Sequence, residues 1–79
     1  MLNKIKNYIN DTNFKITIFN NYININNYEE IIVLEEECIT IRLISKLVTI
    51  KGNNLFIKKL LDKEILIKGF IKEVIFNEI

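Results

Sequence analysis

Residues 48–70 read VTIKGNNLFIKKLLDKEILIKGF. Val48-Thr49-Ile50-Lys51-Gly52 opens the stretch, and the same kind of phrase returns as Ile65-Leu66-Ile67-Lys68-Gly69. The chain has only two glycines, and each closes one of these phrases. Val48 and Ile50 alternate with Thr49 and Lys51, and Ile65 and Ile67 keep the same spacing, which is the period of a strand with one buried face. A looser version stands at Ile16-Thr17-Ile18-Phe19-Asn20, with asparagine in place of glycine. Asparagine and glycine both tolerate positive φ, so the exchange is physically reasonable. The reading is one strand-and-bend unit used repeatedly. Asn20, Gly52 and Gly69 are its structural turns, where the backbone turns a corner or another backbone comes close.

Working outward, the two-residue period holds over most of the chain. Phe14, Ile16 and Ile18 alternate with Lys15 and Thr17, and Asn20-Asn21 suits a hairpin turn. Ile23 and Ile25 follow, then a second turn candidate at Asn26-Asn27. Ile31-Ile32-Val33-Leu34 is a continuous apolar run, which predicts a strand buried on both faces. Glu35-Glu36-Glu37 turns the chain, Ile39, Ile41 and Leu43 alternate again, and Ser45-Lys46 turns it once more. Gly52-Asn53-Asn54 carries the strongest turn signal. Asp62-Lys63 reads as a loop, with a single helical turn over Leu60–Lys63 as the alternative. Leu2, Ile5 and Ile9 have helical spacing, so residues 1–13 are expected as a short helix or a frayed end. Residues 14–79 are expected as one all-β domain. It would hold about seven to eight antiparallel strands of four to six residues, as a meander, β-roll or small sandwich.

Seventy-nine residues make one domain at most. A core of this size is only modestly stabilising, and one cysteine excludes an internal disulfide. Small folds without such staples often oligomerise. Formal net charge is +1, which gives no general attraction to nucleic acid or anionic membrane. No secretory leader and no transmembrane stretch is apparent, so a soluble, intracellular, reduced protein is expected. Ala, Gln, His, Pro and Trp are absent while Ile, Asn and Lys abound, which points to an AT-rich genome. Many asparagines then report codon usage.

Catalytic chemistry finds little to use. Cys38 is the only thiol, and no histidine is present to activate it. Arg42 could make it more reactive, if both share a face. Glu35, Glu36 and Glu37 point to alternate sides in an extended chain, and they lack the glycine-bearing loop of a calcium site. No enzyme activity, cofactor, metal or small-molecule substrate is expected. The acidic group Glu29, Glu30, Glu35, Glu36 and Glu37 precedes a stretch from Arg42 to Lys59 that holds no acid. It reads as solvated strand edges, or as complementary surfaces between copies.

The order ITIFNNYININNYEEIIVLEEECITI, then VTIKGNNLFIKKL, then EILIKGFIKEVIF resembles the YabP/YqfC family of sporulation proteins, the YqfC branch most closely. The resemblance rests on Asn27-Tyr28 before an apolar strand, on Ile50, Gly52, Leu55 and Ile57, and on Ile67, Gly69 and Ile71. It spans residues 14–76. Its segment Leu43–Leu47 departs from the polar turn of relatives. The resemblance implies a non-enzymatic protein of endospore-forming bacteria, made in the mother cell and needed for spore formation. Its place would be the mother-cell cytoplasm, or the periphery of the forespore surface. It brings no catalytic motif.

Ile32, Leu34, Phe56, Leu66 and Ile75 lie out of phase with the main apolar positions of their strands. If Ile16, Ile18, Ile39, Ile41, Ile50 and Ile67 fill the interior, these five form a second apolar face. That face is the candidate interaction surface, for self-association or for another sporulation protein. The alternative is a small β-barrel for single-stranded nucleic acid, with Arg42, Lys51, Lys58 and Lys68 as cations and Tyr22 or Phe56 as stacking platforms. A single arginine and a near-zero net charge argue against it.

Overall fold

A computed structural model describes residues 7–10 and 13–79. Its strands are β1 (Asn7–Asn10), β2 (Lys15–Ile18), β3 (Tyr22–Asn26), β4 (Glu30–Glu35), β5 (Cys38–Arg42), β6 (Lys46–Leu60) and β7 (Glu64–Glu78). They form one seven-stranded sheet in the order β1-β2-β3-β7-β6-β5-β4. Every neighbouring pair is antiparallel. The all-β expectation holds, and no helix occurs among the described residues. Of the predicted N-terminal helix, residues 7–10 are a strand on the edge of β2, and residues 1–6, 11 and 12 lie outside the described residues.

Two strands are far longer than expected. β6 and β7 have fifteen residues each. Straight strands of that length would reach about 50 Å, yet the longest extent of the molecule is 28 Å. Both must therefore bend. Pairing slips between Lys51 and Gly52 and between Asn53 and Phe56. Asn54 adopts φ 54°, and Gly69 adopts φ 137°. Gly52-Asn53-Asn54 is thus a bulged corner inside a strand and not a chain reversal. Hydrogen-bond partners on both sides carry the ladder through it.

The corner divides the sheet into two lobes. One holds β1, β2, β3, the first part of β7 and the last part of β6. The other holds β4, β5, the first part of β6 and the last part of β7. Phe14, Ile16, Ile23, Ile25, Ile65 and Ile67 from the first meet Ile39, Ile41, Leu43, Val48 and Ile50 from the second in one core. All are essentially inaccessible, and Leu55 joins them at the corner. A single sheet buries one face this completely only by folding over itself, as in a small sandwich or roll.

The lobes are related by an internal two-fold. Read from one side the order is β2-β3-β7-β6, and from the other β4-β5-β6-β7. Ile67 pairs with Ile23, as Ile50 pairs with Ile39. Ile65 pairs with Ile25, as Val48 pairs with Ile41. The Gly69 amide donates to the Asn21 carbonyl, and the Gly52 amide donates to the Glu37 carbonyl, each at 3.2 Å. In both lobes a hairpin turn, Asn20-Asn21 or Glu36-Glu37, therefore caps the corner of the long strand beside it. The two Ile-Lys-Gly phrases are equivalent positions of this repeat. The looser phrase at residues 16–20 is not a third copy; it lies in β2, whose counterpart is β4.

The turn expected at Ser45-Lys46 lies one residue earlier, because Lys46 already opens β6, and the one at Asp62-Lys63 is where the sequence puts it. The Leu43 amide donates to the Lys46 carbonyl around Ile44-Ser45, and Leu61 to Glu64 around Asp62-Lys63. Asn27, at φ 66°, ends β3 and starts the crossing to β4. Tyr28 covers the core there, and its hydroxyl donates to the Leu61 carbonyl. The apolar run Ile31–Leu34 departs from expectation. It forms an edge strand with a bulge between Ile31 and Val33, not a strand buried on both faces.

Candidate functional site

Residues opposite one another in an antiparallel pair share a face. That rule places the five candidate residues in three locations. Ile32 and Leu34 stand on β4, 48% and 57% exposed, at the open edge of the sheet. Phe56 and Leu66 share the outer face of the first lobe. Phe56 is 51% exposed and opposite Lys68, while half-buried Leu66 lies between Asn24 and Lys59. Ile75 is on the outer face of the other lobe, opposite Thr49, and half-buried. The structure brings Phe56 and Leu66 together and keeps both apart from the β4 edge.

The outer face of the first lobe is richer than the apolar pattern suggested. Tyr22, Lys68 and Phe56 form a row across three strands. Phe19 stacks on Tyr22, with ring centroids 4.5 Å apart. Asn24 donates to the Glu64 carboxylate at 3.1 Å, which fixes the polar end of the patch. The alternation sets Phe19 in phase with Lys15 and Thr17, so sequence reading gives it no role in the surface. It also missed Phe70, which is 60% exposed at the corner. Its position directly after Gly69 was the available signal.

The cations named for nucleic acid do not share one face. Lys68 lies on the outer face of the first lobe. Arg42 and Lys51 lie on that of the second, with Cys38 and Thr40. Lys58 sits in the pairing irregularity between Ile57 and Lys59. Cys38 and Arg42 do share a side of β5, but the Arg42 guanidinium is held by Glu30, with Nη2 at 2.7 Å and Nε at 3.2 Å from Oε1. Lys46 meets Glu78 at 2.8 Å, and Lys59 meets Glu64 at 4.0 Å. Three cations of the basic stretch thus have partners within the chain. Glu29, Glu35, Glu36 and Glu37 remain exposed along β4 and its turn. Among the described residues no three His, Cys, Asp or Glu side chains are grouped as metal ligands would be. No helix among them is long and apolar enough to cross a membrane.

Residues 10–79 match the model of the YabP family, which covers β2 through β7 and both lobes. No curated protein and no solved structure matches the chain.

Proposed function

We propose, from the premise that this chain belongs to the YabP family and is a sporulation-related protein, that it acts without catalysis by binding protein through its sheet. Its setting in this reading is the mother cell during endospore formation, in the cytoplasm or at the periphery of the forespore surface, as for the YqfC branch that the sequence resembles. The observation that carries the reading is the outward Phe56 beside Leu66, on a face that also holds the Phe19–Tyr22 stack. Large aromatic side chains are the usual anchors of protein interfaces. The partner is a second copy or another sporulation protein.

The test is mass in solution by size exclusion with light scattering over a wide concentration range, followed by capture of partners from sporulating cells. Association that Leu66→Asp removes, in a variant that still folds, is the expected result. Association unaffected by Leu66→Asp would refute the role of this face.

The Tyr22–Lys68–Phe56 row favours a second reading, in which single-stranded nucleic acid stacks on the two rings. The remaining cations of that reading lie elsewhere, and Glu64 borders the patch. Saturable binding of a labelled oligonucleotide that weakens on Phe56→Ala would support it.

A further inference from the structure

We propose that the open edge of β4 receives an extended, lysine- or arginine-bearing segment of another protein as an added antiparallel strand. This deepens the protein-binding reading, on which it rests, by adding a second site and its ligand chemistry.

The internal two-fold supplies the first argument. β4 is the counterpart of β2, and the outer edge of β2 is covered by β1, which pairs Asn7 with Ile18 and Asn10 with Lys15. In the repeat, Leu34 stands where Ile18 does, since each pairs with the first core isoleucine of its neighbour, Ile39 or Ile23. Among the described residues no strand lies against β4. The fold itself thus demonstrates that an edge of this kind accepts a short strand.

Side chains define what fits. Exposed Ile32 and Leu34 offer apolar contact beyond backbone pairing. Exposed Glu29 and Glu35 flank them, Glu30 being already paired with Arg42, and Glu36 and Glu37 follow in the turn. Main-chain hydrogen bonds give such an added strand its affinity, and flanking side chains choose it. Carboxylates at both ends of the edge select cations.

The same charges disfavour a second copy. Antiparallel pairing of β4 with another β4 about its centre sets Glu29 and Glu30, with Arg42 beside Glu30, against Glu35 and Glu36 of the other chain, and the surplus of like charge is destabilising. β1 of a second copy reads Asn-Tyr-Ile-Asn, has no cation between Asn7 and Asn10, and already pairs with β2, while Lys4 and Lys6 precede it. The acidic surplus of the edge favours a basic strand from a different protein.

The probe is a labelled, acetylated and amidated nine-residue peptide alternating valine with lysine, titrated into the full chain. Controls replace lysine by glutamate or N-methylate alternate backbone amides. Saturable binding is expected, with amide NMR shifts centred on residues 29–35. Both controls and the Glu29→Lys/Glu35→Lys variant should weaken it at least about tenfold, the equivalent of roughly 1.4 kcal/mol. Absence of saturable binding, indifference to N-methylation, or shifts centred on Phe56 and Leu66 would overturn the proposal. So would oligomers of the protein alone that Leu34→Lys disperses, because the edge then belongs to a second copy. A peptide that fails to bind, while association still responds to Leu66→Asp, removes this inference and leaves the binding reading standing.

Discussion

Gly52 lies directly under the carbonyl of Phe70. A β-carbon at Gly52 would overlap that oxygen and come within 3.0 Å of its carbon. Gly69 is crowded from the other strand, where a β-carbon would lie 2.7 Å from the Asn54 oxygen and 2.9 Å from the Leu55 α-carbon. The two glycines are thus the inner surfaces of one corner. Because the obstructing atoms are backbone, no rotamer change relieves the clash. Gly52→Ala is expected to cost more than about 4 kcal/mol, in the range reserved for disrupted backbone or core. A folded domain holds only about 5–15 kcal/mol in total. Thermal and urea denaturation would show a severely destabilised or unfolded variant, and near-native stability would contradict this close approach of the two strands.

Asn54 provides the opposite sign at the same corner. Its φ of 54° is left-handed, which costs a branched residue about 1–2 kcal/mol. Asn54→Val should lose about that much. Asn54→Gly should be neutral or nearly so, since glycine accepts this conformation freely. Matched denaturation curves of the pair check the sign directly.

Equivalent core positions should respond alike. Ile50 and Ile67 are both fully buried, both precede a Lys-Gly step and both face an isoleucine across the ladder. Each changed to alanine is expected to lose about 2–5 kcal/mol. The two losses should agree within about 1 kcal/mol if the two-fold describes the packing. A much larger difference in urea midpoints would show that one lobe closes over the cavity and the other does not.

Thr40 and Thr49 face each other across β5 and β6, their hydroxyls 3.1 Å apart, with Thr40 only 9% exposed. Thr40→Val leaves the Thr49 hydroxyl without this partner and should cost about 1–2 kcal/mol. Replacing both by valine should recover most of that loss, because two apolar groups of the same shape leave nothing unsatisfied. A double-mutant cycle reads the coupling, and strictly additive losses would contradict it.

Glu30→Gln should change stability by less than about 1 kcal/mol. Its bridge to Arg42 is short, but both side chains are solvent-exposed. The change should also shrink with added salt. A larger, salt-insensitive loss would mean that the edge strand depends on this pair.

The core was legible because period two marks a half-buried strand without knowledge of its partners. Ile16, Ile39, Ile41, Ile50 and Ile67 are sealed inside, while Ile18 is only partly buried against the core. The hairpin turns at Asn20-Asn21 and Glu36-Glu37 were legible from residue chemistry. The length of β6 was not. Gly52-Asn53-Asn54 has the composition of a chain reversal, and only the neighbouring β5 and β7 ladders show that the chain continues. Ile31–Leu34 misled for a related reason. An unbroken apolar run is the mark of a fully covered strand, and here it belongs to a bulged strand at the edge of the sheet. The candidate surface was legible residue by residue but not as a set, because phase within a strand does not say which lobe the strand is in.

The two-fold hides an inequality in how the lobes come together. β4, β5, β6 and β7 follow one another along the chain, so Ile39 meets Ile50 by closing a short loop. Ile23 meets Ile67 only after everything between them has been spanned. Nearby pairings form early and distant ones late, since loop closure must precede the reward of contact. Ile39→Val and Ile23→Val, alike at equilibrium, should therefore separate in time. The first is expected to slow refolding, and the second to hasten unfolding.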